Sequence, residues 1–417
     1  MSRSKTPQRP RPGFTALSSG ASLLAFLLTA GCSPSGGSRG DTAGSSVSAT
    51  ESSDVPADDV ATGQQVFRYD TFGDEQFWTD TLHLERVVQK SVDPTTALSV
   101  GLKVDMDALP PDVVKGVQDG TVDLKSPATT IALLKLNAVV GLKGTVQTIA
   151  GKDTLTRLGV TCALCHSTVD DAFSKGIGHR KDGWPNRDLN VGAIIALSSE
   201  LPADKKAVYS SWGPGKYDPR YNFDGKSTPL VLPPAYGLAD VKNETYTAEG
   251  PISYWNAYVA VTQMHGHGNF SDPRLGIDIK QSPDMVTSKL PALRAYQHSL
   301  AAPQPPAGTV DIAAAARGRA DFNASCASCH VGGNGSDNNS GILHTAAETG
   351  MSPSYALRTA TRGYRTTPLR GLWQHPPYFH DGSAATLEAV VTHYNSARRL
   401  GLNAAQRSDL VQYLKSL

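Results

Sequence analysis

Apolar positions along the chain fall into short separated runs, and their spacing favours helices over strands. The first run, Ala21 to Ala30, follows the basic residues Arg3, Lys5, Arg9 and Arg11 and ends at Gly31–Cys32, the outline of a secretory signal peptide over 1–32. It is too short to span a bilayer. Residues 33–62 are rich in Ser, Gly, Ala, Thr and Asp with no hydrophobic period, which predicts a flexible, disordered tether. Order is expected from about Gln64–Gln65–Val66–Phe67, with helical packing from Phe77–Trp78 and from the apolar run Ile131–Val140. A proline-rich connector, Ala301 to Gly308, precedes Asp311, which caps a helix running from Ala313 towards Phe322. Leu387, Val390, Val391 and Tyr394 share one face of a further helix, and a last helix is expected over about Ala404–Ser416. The chain therefore divides at about 305/306 into a first unit, 63–305, and a second, 306–417.

Charge changes little in this picture, since a net charge of +1 gives no reason to expect a nucleic-acid or acidic partner. Composition changes more. With Gly 39, Pro 27 and aromatics at 7%, the chain reads as loop-rich, and a large cofactor could supply missing core. The five cysteines divide into Cys32 and two Cys-x-x-Cys-His runs, Cys162–Cys165–His166 and Cys326–Cys329–His330. That spacing lets two thiols form thioethers to haem vinyl groups while the adjacent histidine turns beneath the ring to ligate iron. Four cysteines could instead hold zinc, or one pair could be a thioredoxin-like redox couple, but neither explains the histidine after both motifs. Leu28–Thr29–Ala30–Gly31–Cys32 resembles a bacterial lipoprotein cleavage site, with the leucine one place early; Cys32 would become the acylated first residue of an exported, periplasmic or outer-membrane protein.

Proximal iron ligands are thus assigned to His166 and His330, and function turns on the sixth position of each iron. Met106, Met264, Met285 and Met351 are the only methionines after Cys32, and none follows Met351. On the helix from Leu387, Tyr394 points inward with the apolar residues, and His393 would do so if the helix were rotated. His265 and His267, in Met264–His265–Gly266–His267–Gly268, are further ligands, proton donors or turn residues. Each half also runs from its cysteine motif to a Thr-Pro-Leu step (Thr228–Leu230; Thr367–Leu369) and an aromatic doublet (Tyr254–Trp255; Tyr378–Phe379), which argues for two related haem domains.

The stretch Thr367 to Leu387, containing Trp373–Gln374–His375–Pro376–Pro377–Tyr378–Phe379–His380–Asp381–Gly382, resembles the second-haem domain of the bacterial dihaem cytochrome c peroxidase superfamily. That superfamily includes the enzyme that matures methylamine dehydrogenase and, more distantly, the rubber oxygenases. The similarity covers about 150–417. Counting from His380, the resemblance puts Tyr394 where the peroxidases have a methionine ligand, as in the maturation enzyme. It implies that His179, in Gly176–Ile177–Gly178–His179, caps the first haem and that Trp255 relays electrons between the haems. An interdomain calcium is also implied, although its asparagine ligand aligns with Ser227.

The fold class expected is mainly α, with two cytochrome c-like haem domains and long loops behind the tether. The function expected is an extracytoplasmic oxidoreductase holding two covalent haem c groups. Peroxide or oxygen would react at the first haem, and electrons would arrive through the second from a small redox protein or quinone-linked donor. A pure electron carrier and an oxygenase acting on an organic substrate are the competing readings.

Overall fold

The computed structural model describes residues 57–417. The expected signal peptide, Cys32 and the tether up to residue 56 lie outside the described residues. Helix α1 (Ala57–Tyr69) begins inside the stretch expected as tether and pairs with α6 (Leu290–Ser299), more than two hundred residues later. Gly63 permits the crossing: a Cβ there would lie 1.9 Å from the Ala292 carbonyl oxygen. Phe67 meets Tyr296 edge-on at 5.5 Å. The first and last helices of the first region therefore close on each other.

Between them, α2 (Glu75–Trp78) and α3 (Pro127–Lys135) flank a hairpin of β1 (Leu142–Ile149) and β2 (Lys152–Val160). The apolar run expected as helix over Ile131–Val140 is helical only to Lys135. Asn137 takes φ 54°, which ends the helix, and Val139 and Val140 are buried in extended chain leading into β1. The hairpin reverses at Ala150–Gly151, both at positive φ, and a bulge at Thr145/Val146 breaks its alternation. Thr79 fastens α2 to β2: its hydroxyl donates to Leu158 O at 2.9 Å and accepts from Leu158 N–H at 2.8 Å. β2 then delivers the chain to Cys162.

The first cysteine motif forms a single helical turn, α4 (Ala163–His166), followed by β3 (Ser167–Val169) paired antiparallel with β4 (Arg180–Asp182). β5 (Lys216–Tyr217) pairs with β6 (Leu230–Val231), and α5 (Ile252–Thr262) carries an aromatic face into the core. Helices predominate, and every sheet among the described residues is two-stranded.

The later part of the chain is built on α7 (Ile312–Ser325), α8 (Leu387–Ala397) and α9 (Ala404–Lys415). Asp311 caps α7 by accepting from Ala314 N–H at 3.0 Å, and Asn403 with Gln406 forms a reciprocal capping box on α9. α7 and α9 pack directly, with Gly318 at the crossing and Arg317 paired to Asp409 at 2.7 Å. Buried apolar side chains form two cores, one spanning Val66 to Tyr296 and one of Phe322, Leu372, Leu387, Val391 and the apolar face of α9.

A Cβ at Gly318 would fall 2.1 Å from the Asp409 carbonyl oxygen. Gly318→Val should therefore push α7 from α9 and cost about 1–3 kcal/mol, as overpacking does. A lowered midpoint in thermal or urea unfolding is the expected reading.

Candidate functional site

At the first motif, Cys162, Cys165 and His166 are all half-buried. His166 Nδ1 lies 3.1 Å from Pro233 O, and because a carbonyl only accepts, Nδ1 carries the proton and Nε2 keeps its lone pair. Burial lowers the His166 imidazole to about 4 and raises both thiols to about 12, so all three side chains are neutral at pH 7. The second motif repeats this chemistry. Cys326 ends α7, His330 Nδ1 lies 2.9 Å from Gly335 O, and burial lowers the His330 imidazole and raises Cys326 to about 11.

Neutral thiols and an iron-ready imidazole fit the thioether and axial-ligand chemistry of haem c. Zinc fits less well, since it takes thiolates and needs four ligands in one place. Among the described residues no metal-competent cluster joins the two motifs; the one such group is Cys329, Asp337 and His344, in which His344 Nε2 is 2.9 Å from Asp337.

Cys326, Cys329 and His330 open onto a mostly apolar cavity of about 250 Å³. Tyr394 and Val390 reach it from α8, and Met351, Tyr364 and His380 reach it from the loops. Burial, with the cysteines close by, raises the Tyr394 phenol to about 12. His393 points elsewhere: its Nε2 is 2.8 Å from Thr349 O and its ring lies 4.8 Å from Phe379. The helix presents the tyrosine and turns the histidine away.

His380 served in the sequence only as a landmark, yet it is buried at this cavity. The Tyr364 hydroxyl donates its proton to Ser352 O at 2.6 Å, so His380 Nε2, 3.1 Å away, must be the donor in their contact. That leaves His380 Nδ1 as a buried acceptor without a partner.

The opposite wall of the cavity includes Pro233, whose carbonyl holds His166 of the first motif. β6 and the residues after it, Val231 to Pro234, lie between the two sites. Pro233 O meets His166, Val231 O accepts from the Tyr246 hydroxyl at 3.1 Å, and Val231 N–H donates to His380 O at 2.8 Å. Tyr246 lines the cavity, 6.4 Å from the His380 ring. Trp255, expected as relay, is not among the cavity's lining residues. It is buried on α5 beside Tyr254 and Tyr258, at 5.7 and 5.2 Å, with its indole N–H unpartnered.

His179 also departs from expectation. Gly183 N–H bonds His166 O at one end of the β3–β4 hairpin and Asp170 N–H bonds His179 O at the other. Three strand residues lie between those ends, a span of about 13 Å from His166 to Asp170. The His179 ring is half-exposed, with Nδ1 2.8 Å from an Asp107 carboxylate oxygen at the surface. His265 stacks on Phe77 at 3.8 Å and His267 Nδ1 sits 2.6 Å from Pro283 O, so that stretch is a turn holding the α2 region. Met264 is core.

Around Ser227, the expected calcium locus, a guanidinium lies among the acidic side chains. The Ser227 hydroxyl accepts from Trp212 at 3.0 Å, and the Arg358 guanidinium bonds Asp218, Asp224, Thr228 and Lys226 O. Both nearby carboxylates are thereby engaged.

A family model described as RoxA-like, cytochrome c-like matches residues 363–400, the segment holding Tyr364, Arg365, His375, His380 and Tyr394. That segment is cytochrome c-like. The match points to a haem-containing redox protein, and cytochrome c domains are typically extracytoplasmic. No curated protein matches the chain. Among solved structures, Kuenenia stuttgartiensis hydrazine synthase pressurised with 20 bar xenon is 19% identical, with a TM-score of 0.32, covering 46% of this chain and 73% of that one. No described helix is long and apolar enough to cross a membrane.

The approach to Cys162 carries its own titration. The Asp74 carboxylate accepts from Val160 N–H at 3.2 Å, and burial raises it from 3.8 to about 9. An unfolded chain loses that proton near pH 4 and the folded one keeps it to about 9. The folded state therefore binds more protons between those values, and stability falls as pH rises across them. Asp74→Asn should flatten that decline, read as the unfolding midpoint against pH from 4 to 9.

Proposed function

We propose that this protein is an extracytoplasmic dihaem c-type oxidoreductase, with one haem at Cys162, Cys165 and His166 and the other at Cys326, Cys329 and His330. The observation that carries the reading is the repeated geometry: in both motifs a buried imidazole is fixed through Nδ1 to a backbone carbonyl, leaving Nε2 free as a ligand. When bound, haem c supplies one-electron chemistry and, where its sixth position is open, activation of oxygen or peroxide. The RoxA-like match supports haem c redox chemistry at the C-terminal region and bears on neither substrate.

In this reading the two sites divide the work. Tyr394 supplies a phenol to the second site and, deprotonated, would be the residue to ligate a haem iron there, with a lower potential than methionine would give. The first site takes the oxidant, with the Val231–Pro233 segment and Tyr246 separating it from the second. Electrons come from a small redox protein or a quinone-linked donor, and acylation at Cys32 holds the chain at a membrane surface.

Haem stoichiometry and spectra test the reading. Pyridine haemochrome analysis should give two haems per chain, and one after Cys162→Ala with Cys165→Ala. The ferric protein should show a high-spin component that shifts on adding peroxide or cyanide; two unreactive low-spin haems would mark an electron carrier instead. Oxygen uptake against peroxide consumption, each with a reductant, separates the two oxidants.

Tyr394→Phe should change the spectrum of the second haem, whereas His393→Gln should not. An unchanged Tyr394→Phe spectrum would return the sixth position to Met351, which lines the same cavity.

A further inference from the structure

Arg187 follows the Trp184–Pro185–Asn186 turn, which Asn186 N–H fixes to Cys165 O at 2.9 Å. Its side chain enters the wall between the two motifs. Nη2 donates to His375 O at 2.9 Å, while Nε and Nη1 are buried without a partner. Among the described residues no carboxylate pairs with it. Its polar surroundings are the phenols of Tyr236, Tyr246 and Tyr378 and the neutral rings of His166 and His375.

Arg365 stands on the same cavity with the same defect in part. Nη1 donates to Asn243 O at 3.0 Å and Nη2 lies 3.8 Å from Glu244, but Nε is buried and unpartnered. The other arginines on this cavity are satisfied: Arg370 is held by Asp240, and Arg398 is exposed and bonded to Glu348 O. A buried guanidinium whose N–H groups lack acceptors is strongly disfavoured, because it has left water without gaining either hydrogen bonds or an opposite charge. Carboxylate is the group that matches its fork geometry. Haem carries two propionate carboxylates.

We propose that Arg187 and Arg365 form the anion cradle for the propionates of the haem attached at Cys326 and Cys329. The inference rests on the dihaem reading above. The cradle orients the ring over His330 independently of the thioethers and places fixed positive charge beside it. Fixed positive charge favours the reduced iron. Because Arg187 also adjoins His166, the same guanidinium belongs to the wall through which the two sites face each other.

The test is spectropotentiometry on the full-length holoprotein, with haem content counted first. Arg187→Gln and Arg365→Gln should each retain two haems per chain, since the thioethers remain. Each should shift the oxidised-to-reduced equilibrium of the second haem at least tenfold towards oxidised, which for one electron is about 59 mV downward. Arg187→Lys, which keeps the charge and loses the fork, should recover part of that shift and serves also if the glutamine variant fails to fold. Unchanged potentials in fully loaded Arg187→Gln and Arg365→Gln would overturn the cradle, as would a shift confined to the first haem. Failure of the wild-type chain to carry haem at Cys326 and Cys329 would overturn the dihaem reading itself, and the haem count separates that outcome from the others.

Discussion

The short extended segment from Val231 to Pro233 holds His166 of the first motif and two residues lining the cavity of the second, Tyr246 and His380, with its backbone alone. One carbonyl orients His166, another accepts from Tyr246, and one N–H holds the His380 carbonyl. Backbone groups in a buried strand must find partners, and here the partners come from opposite sides of the wall. A displacement of this segment would loosen both imidazole environments at once. The two sites are thereby coupled in position although 164 positions separate Cys162 from Cys326.

Around that wall, the halves are built differently. The first region reaches Cys162 through a hairpin pinned by Thr79 and Asp74, so its motif sits at the end of a stiff, buried approach. The second reaches Cys326 through a capped helix packed on α9, with Gly318 setting their spacing. Strand-borne and helix-borne motifs arrive at the same outcome: a half-buried thiol pair and a histidine with Nδ1 committed to a carbonyl. The local chemistry is what repeats, more than the surrounding architecture.

Local signals made much of this legible in sequence. The Cys-x-x-Cys-His spacing marks where a histidine sits beside its thiol pair, Asp311 and the apolar face of the last helix mark α7 and α9, and the period through Leu387, Val390, Val391 and Tyr394 places the tyrosine at the cavity. Long-range and irregular features were not legible. The β1–β2 hairpin hides behind a bulge and a first strand with no buried side chain, and Asn137 interrupts a run that hydropathy alone extends. Nothing local to His179 announces its contact with Asp107, seventy-two positions earlier in the chain. Arg187 and His380 matter through atoms left without partners, which only the folded arrangement defines.

Arg358 gives the joint between the two regions a particular character. Its guanidinium bridges Asp218 and Asp224 while Glu249 accepts from Ala360 N–H nearby, so positive charge at this seam is part of the polypeptide itself. A bound ion has a dissociation constant and answers to the composition of its surroundings. A tethered guanidinium has neither property: the seam keeps its charge in dilute or chelating media and can lose it only by a change in the gene.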